Sequence, residues 1–468
     1  MRPIAPSARL AAAGLLPFLI LLSACGGGGG ADGGGDPLPP PGQAAVAQRV
    51  AGEAVFKVRG AGSGWVAMVE KLQPSFTSQR RPMRRLLVAE GATAGNSYAP
   101  PEGWSLLDFA VHPSREISAV IATGSQVRLL RLDRRGAVIA QFDFQDAAIP
   151  DDPYIGDPNF IPDHKALLPR ATRDAVRLAP LGEHLALALH TGRNSILAYR
   201  YSYGAGAFRR DWRTLVEPGV AVGGRSTTSG TFDPFGGLHD QWQVLLDTDA
   251  KGRLAVAVNL NPTDYAEGHA THFRETLPAD FFTGALLTEL APDGRRIGTS
   301  YLETRVQTEV KAIKWHGDAI VAVGRFLPNR LPDGSGWDGL VSVIPAGRHG
   351  KASYRALDID RGDALLDVTP LPNGRLLAAG SSGYVQNPAG ASISEEAKPL
   401  LLVLEGDGAL REKLTVSGGP RHNQVRSVAP HDGAYLSGSM ENGPGTHSAD
   451  ADPALLRADG VVRGLRLP

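Results

Sequence analysis

The residues best placed to do chemistry lie in the segment EGHATHFRE, where His269 and His272 stand three apart beside Asp264, Glu267 and Glu275. Within one helical turn, two imidazoles at that spacing share a zinc or copper ion. No third ligand follows in register and the HExxH spacing of a metalloprotease is absent, so both histidines read first as loop surface. Asp146, Asp151, Asp152, Asp157 and Asp163 offer oxygens to a cation, but Pro150, Pro153, Pro158 and Pro162 space them outside any known ligand pattern. That stretch reads as an exposed acidic loop. Gly-x-Ser-x-Gly does not occur, Gly350-Lys351 runs into Ala352 rather than a phosphate-loop hydroxyl, and Gly60, Gly62 and Gly64 lack the last spacing of a dinucleotide fingerprint. RRPMRR at 80–85 carries cations suited to lipid phosphates, yet reads as solvated charge in a hairpin loop. Arg361-Gly362-Asp363 matches an adhesion tripeptide and reads as a turn. No catalytic residue, metal or cofactor is assigned.

The elements that must position these residues are short strands. Gly 57 and Pro 35 among 468 residues, with 42% hydrophobic residues, suit strands and turns better than long helices. Forty-eight basic side chains balance 48 acidic ones, which argues against a nucleic-acid binder relying on counterion release. One alternating, small-residue strand recurs as ISAVIATG, LALALHTG, LAVAVNLN, AIVAVGRF, LLAAGSSG and AYLSGSME, starting at 117, 185, 254, 319, 376 and 434. Each follows a tight turn such as Lys251-Gly252, Asn373-Gly374 or Asp432-Gly433 and an earlier strand such as LLDFAVHP or LLDVTPLP, which makes a hairpin. A second hairpin comes after each first one, with Asp293-Gly294, Asp407-Gly408 and Asp459-Gly460 at its turn, where positive φ is needed.

Two consecutive hairpins form a four-stranded antiparallel unit of about 60 residues, the blade of a β-propeller. Units start near Leu106, Asp174, Trp242, Val310, Leu365 and Val425, and Val55 to Glu90 looks like a degraded further one. Shared among seven blades, Val46–Pro468 allots about 60 residues to each, against about 70 for six, so an all-β propeller of seven blades is expected. Six blades, with the amino-terminal strands completing the last, is the alternative. A β-sandwich has no need of the fixed unit order. LLDVTPLPNGRLLAAGSS followed by LLLVLEGDGALRE resembles the delta-sixty class of bacterial propeller repeats, well over 310–424 and poorly before 240. That resemblance implies a ring and no particular activity.

The amino end speaks to location. Arg2 and Arg9 precede an uncharged run, Leu10 to Leu22, too short for the ~20 residues of a spanning helix. Leu22-Ser23-Ala24-Cys25 resembles the lipobox of bacterial lipoproteins. The resemblance implies a signal peptide over 1–24, lipidation of Cys25, and, with Gly26 in place of Asp, outer-membrane sorting in the cell envelope, periplasmic or surface face open. Cys25 is the one cysteine, so no intrachain disulfide forms. Residues 26–42 hold nine Gly and four Pro, and 25–45 reads as a flexible tether ahead of the propeller at 46–468.

Labelling blade strands a to d from the axis, the a–b and c–d turns share one rim, and the b–c turns and d-to-a crossings share the other. Nearly all added length falls in the second set: 145–169, 217–241, 262–283, 327–338, 384–398 and 442–451. A scaffold that uses one end of its channel has this form. Those connections carry Tyr154, Phe160, Phe235, Tyr265, His269, His272, Trp337 and Tyr384, the candidate ligand-binding residues. The expected function is a lipid-anchored binding or assembly module for a peptide, glycan or envelope protein. An exported hydrolase or lyase with its site at the channel mouth is the alternative.

Overall fold

A computed structural model describes residues 43–71, 83–123, 126–146, 176–190, 196–217, 244–260, 284–306, 308–328, 336–383, 397–443 and 457–467. Strand β1 (Gln43–Val50) comes first, followed by blade 1: β2 (Ala54–Ala61), β3 (Gly64–Lys71), β4 (Met83–Ala89) and β5 (Asn96–Tyr98). Blade 2 is β6 (Ser105–Val111), β7 (Ile117–Thr123), β8 (Gln126–Leu132) and β9 (Val138–Phe144). Blade 3 is β10 (Val176–Leu181), β11 (His184–His190), β12 (Ile196–Gly204) and β13 (Ala207–Glu217). Blade 4 is β14 (Val244–Thr248), β15 (Leu254–Leu260), β16 (Gly284–Leu290) and β17 (Arg296–Glu303). Blade 5 has β18 (Thr308–His316), β19 (Ala319–Phe326) and β20 (Asp338–Pro345); then β21 (Gly350–Lys351) crosses to blade 4 and β22 (Arg355–Leu357) completes blade 5. Blade 6 is β23 (Ala364–Pro370), β24 (Leu376–Ser382), β25 (Lys398–Leu404) and β26 (Leu410–Leu414). Blade 7 is β27 (His422–His431), β28 (Ala434–Gly443) and β29 (Asp459–Arg466), with β1 as its outermost strand.

Every blade thus has four antiparallel strands, blade 4 carrying β21 as a short fifth, and the ring has seven blades. The strand that the six-blade alternative reserved for closure is present within the seven-blade ring. Gln43 pairs with Arg466 and Val50 with Gly460, so β1 takes in the last residues of the segment read as tether. A four-stranded sheet cannot cover both its faces, and the apolar clusters accordingly lie between blades. Val321 and Val323 of blade 5 pack with Leu365, Val368 and Leu376 of blade 6. Val55 and Trp65 of blade 1 pack with Leu436 and Val462 of blade 7, which joins the first blade to the last.

The hairpin turns form for the reasons their residues suggest. Asp249 Oδ1 accepts from the Lys251 and Arg253 amides while Gly252 takes φ +82°, which a side chain would resist. Asp432 and Gly433 both take positive φ, as a two-residue hairpin requires.

Three sequence expectations are corrected. Asp459-Gly460 is no turn: both residues begin β29, because β1 supplies the fourth strand and no second hairpin is needed. The c–d connection of blade 5 is not trimmed, since Gly350 and Lys351 pair in parallel with Ser300 and Tyr301 and strap the outer edge of blade 4. Within RRPMRR, Met83 to Arg85 belong to β4 rather than to a solvated loop. Arg84 is buried against Glu70 at 2.7 Å, and Arg85 meets Glu53.

Candidate functional site

The first strands of all seven blades line a central channel of about 590 Å³. Ten of the side chains that line it are charged, although the strands themselves are largely apolar runs. At one distance from the first hairpin turn stand Lys57, Asp108, Arg177, Leu245, Ala312, Asp367 and Ser427, one from each blade.

The acidic members of this level bind the next blade. Asp108 Oδ2 accepts from the Leu178 amide at 2.8 Å while Oδ1 receives Lys57 Nζ at 2.6 Å. Asp367 Oδ2 accepts from the Val428 amide and the Ser427 hydroxyl, and Ser427 Oγ in turn accepts from the Val58 amide at 3.2 Å. Nearer the hairpin turns, Asp247 accepts from the Trp315 amide at 2.8 Å and from Lys314 Nζ at 2.7 Å. Each carboxylate therefore ties one first strand to its neighbour at the hub, where twisted sheets leave backbone donors facing the channel.

These charges perturb one another. Burial pushes Lys57 down to about 8 against the pull of Asp108, and Arg59 and Arg177 lower it further. Burial alone would raise Asp108, but Lys57, Arg177 and the Leu178 amide outweigh it and hold the carboxyl below its ordinary value. Six lining side chains are cationic (Lys57, Arg59, Arg177, Lys311, Lys314, Arg426) and four are carboxylates (Asp108, Asp247, Asp249, Asp367), an excess of two positive charges on the wall.

A second polar cluster sits beside the hairpin-turn rim between blades 2 and 3. His112 binds the Gly182 carbonyl through Nδ1 and Ser118 Oγ through Nε2, and burial pushes its pKa down to about 4. Arg131, 1% exposed, reaches Glu116 and Glu183. Ser118 is fully buried and His112 nearly so, and the imidazole joins Ser118 of blade 2 to the Gly182 carbonyl of blade 3, so the pair clamps the two blades together.

Of the eight candidate ligand-binding residues, Trp337 is described; Tyr154, Phe160, Phe235, Tyr265, His269, His272 and Tyr384 lie outside the described residues, as does Cys25. Trp337 is buried, packed with Ala364 and with Leu366, which lines the channel. The Arg325 guanidinium lies 4.2 Å over its ring. It therefore supports the channel wall from behind. Asp146 receives Arg213 at 2.7 Å and the Tyr199 hydroxyl at 2.9 Å, so the one described carboxylate of the acidic stretch is a packing partner. Arg361-Gly362-Asp363 makes the expected turn, with Asp363 Oδ2 accepting from the Ile359 and Asp360 amides. Sequence reasoning missed the hub residues, although Leu-Leu-Asp recurs at 106–108, 245–247 and 365–367, an acid within an apolar strand three times.

No protein-family model and no curated protein matches the chain. Among solved structures, the chain is similar to the RRP9 WD40 repeats at 9% identity, covering 90% of this chain and 100% of that one with a TM-score of 0.47. It is also similar to the Dos1 propeller at 6% identity, covering 91% and 96% with a TM-score of 0.45. A third likeness is to YCF48 bound to D1 peptide, at 7% identity, 89% and 94% coverage and a TM-score of 0.41. At such identities the likeness is one of architecture.

Proposed function

We propose that the protein is a lipid-anchored binding module of the cell envelope that engages a peptide, glycan or envelope-protein partner at one end of its propeller channel. The observation that carries this reading is the channel itself, a cavity of about 590 Å³ built from one strand of every blade. That size falls within the ~300–1,000 Å³ of ordinary ligand sites. The strands that flank the longest connections all end at one of its rims. The LSAC sequence and the glycine-rich segment after it support a lipid anchor at Cys25 and a tether.

A photo-crosslinking side chain placed at Leu366 in the full chain, in cells, should capture a partner that the same group at outer-flank Arg209 does not. No capture from Leu366, or equal capture from both, would remove the binding reading. The anchor is tested separately: Cys25→Ser should abolish palmitate labelling and move the protein to the soluble fraction, and unchanged labelling would refute it.

A further inference from the structure

Five of the seven first strands carry a β-bulge, and the bulge adds one side chain to the channel wall. The bulged residues that line the channel are Phe56, Leu107, Lys311, Leu366 and Arg426; β27 has a second bulge, at Asn423, away from the channel wall. They belong to blades 5, 6, 7, 1 and 2, which are consecutive around the ring. In ring order the side chains run Lys311, Leu366, Arg426, Phe56, Leu107. This arc has two cations, three apolar groups and no carboxylate. Each member precedes the Lys57, Asp108 and Asp367 level in its strand, so the arc lies toward the rim opposite the first hairpin turns, where the longest connections leave. The two first strands without the bulge, β10 and β14, are those fed by the long crossings.

We propose that this arc binds a carboxylate borne on an apolar group, with the carboxylate between Lys311 and Arg426 and the apolar part against Leu366, Phe56 and Leu107. The proposal rests on the channel being the binding end and names the chemistry of what enters it.

The arc is held in place before any ligand arrives. Glu309 bridges Lys311 at 3.2 Å and Arg325 at 2.6 Å, and Arg325 covers Trp337, which packs behind Leu366. The Arg426 guanidinium lies 4.7 Å over the Phe56 ring, which also meets Arg84 at 4.1 Å. One network thus fixes Lys311 and Leu366, and another fixes Arg426 and Phe56, so little side-chain freedom remains to be lost on binding. Cations buried in this way hold an anion more strongly than solvated ones, because less water competes. The leucine between the two cations suits a monoanion with an apolar stem better than a phosphate, which is favoured by adjacent donors. The wall's excess of two positive charges acts in the same direction.

The test is calorimetric titration of the full chain with decanoate, decanol, inorganic phosphate, and a leucine-terminated tripeptide with a free or an amidated carboxyl. Decanoate or the free-acid peptide should bind at least about tenfold more tightly than its uncharged counterpart, and whichever acid is tighter identifies the source of the carboxylate. Lys311→Met and Arg426→Met should each weaken that acid about tenfold, Lys311→Arg should restore most of it, and exposed Arg209→Gln should change nothing. Circular dichroism of each variant checks that the ring is folded, and the two methionine variants act on different blades, so a folding failure in one leaves the other as a test. Equal binding of acid and uncharged counterpart, phosphate binding as tight as either acid, or no binding of either acid would overturn the assignment. Capture from Leu366 alongside any of these results would leave the binding reading intact and sink the carboxylate.

Discussion

Replacing Asp363 by asparagine should stabilise the ring at neutral pH, contrary to the usual effect of altering a buried polar side chain. Asp363 is 1% exposed at the entrance to blade 6. Its Oδ2 accepts from the Ile359 and Asp360 amides, while Oδ1 is buried without a hydrogen-bond partner. Burial pushes this carboxyl up to about 7; the two amides oppose the rise, and the Asp358 and Asp338 carboxylates add to it. The folded chain therefore holds this proton to a higher pH than the unfolded chain, whose ordinary value is 3.8. Between those values the native state binds more protons, so stability falls as pH rises, and the cost is fully present above about 7. A change from 3.8 to about 7 corresponds to a ceiling of about 4 kcal/mol. Asparagine keeps an oxygen for the two amides and removes the charge that burial and the Asp358 and Asp338 carboxylates disfavour. Urea unfolding of both proteins from pH 5 to pH 8 is the assay. Asp363→Asn should gain stability over the native chain, and the gain should be about 2 to 3 kcal/mol larger at pH 8 than at pH 5. A difference that did not change with pH, or a variant less stable at pH 8, would show that the carboxyl is ionised throughout and refute the reasoning.

Three further outcomes are expected. Asp108→Ala strips a buried acceptor from Lys57 and the Leu178 amide and should cost about 3–5 kcal/mol in urea unfolding, with Lys57→Met plus Asp108→Leu recovering much of it; a loss under about 1 kcal/mol would show the hub pair to be ornamental. Gly380→Ala would set a Cβ 1.9 Å from the Ala364 carbonyl and should destabilise by about 1–3 kcal/mol by thermal melt; an unchanged midpoint would contradict the close approach of β24 to β23. Glu441→Gln leaves Arg463, 1% exposed, without its carboxylate and weakens the hold on Arg49 of β1, so blade 7 should show faster amide exchange than blade 4; equal exchange would exclude a role for that ion pair in closure.

The ring was legible in the sequence because its turns are chemical. Asp293-Gly294 and Asp407-Gly408 stand where an aspartate bonds its own turn and a glycine takes positive φ, and those positions mark the hairpins directly. Short polar strands carry no such mark: β5 and β22 span three residues each and pair only because the third strand of their blade presents an edge. The hub was half visible. Three Leu-Leu-Asp segments look alike, yet Asp108 and Asp367 share a level while Asp247 stands farther along the channel, because the first two stand four positions ahead of His112 and Leu371, which open their hairpin turns, and Asp247 only two ahead of Asp249; β6 and β23 also absorb a residue in a bulge and β14 does not. A bulge is chosen by how the strand packs against its neighbours, and local sequence does not announce it. The buried role of Trp337 was hidden for a related reason: whether an aromatic at a strand entrance faces a ligand or its own wall depends on Arg325 and Leu366, which belong to other strands.

The closing strand carries a consequence for how the molecule comes to be. Blades 1 to 6 draw their four main strands from consecutive stretches of chain, so each can assemble as soon as it is synthesised. β1 is different: Arg49 meets Glu441 across 392 residues, and the strand has no other sheet to join. The earliest strand must wait for the latest, and in a growing polypeptide β1 stays unpaired until β29 emerges. Loss of β29 would leave blade 7 with two strands and β1 without its partner, whereas loss of β1 would leave blade 7 with three strands, so premature termination before the last strand should be the graver of the two injuries.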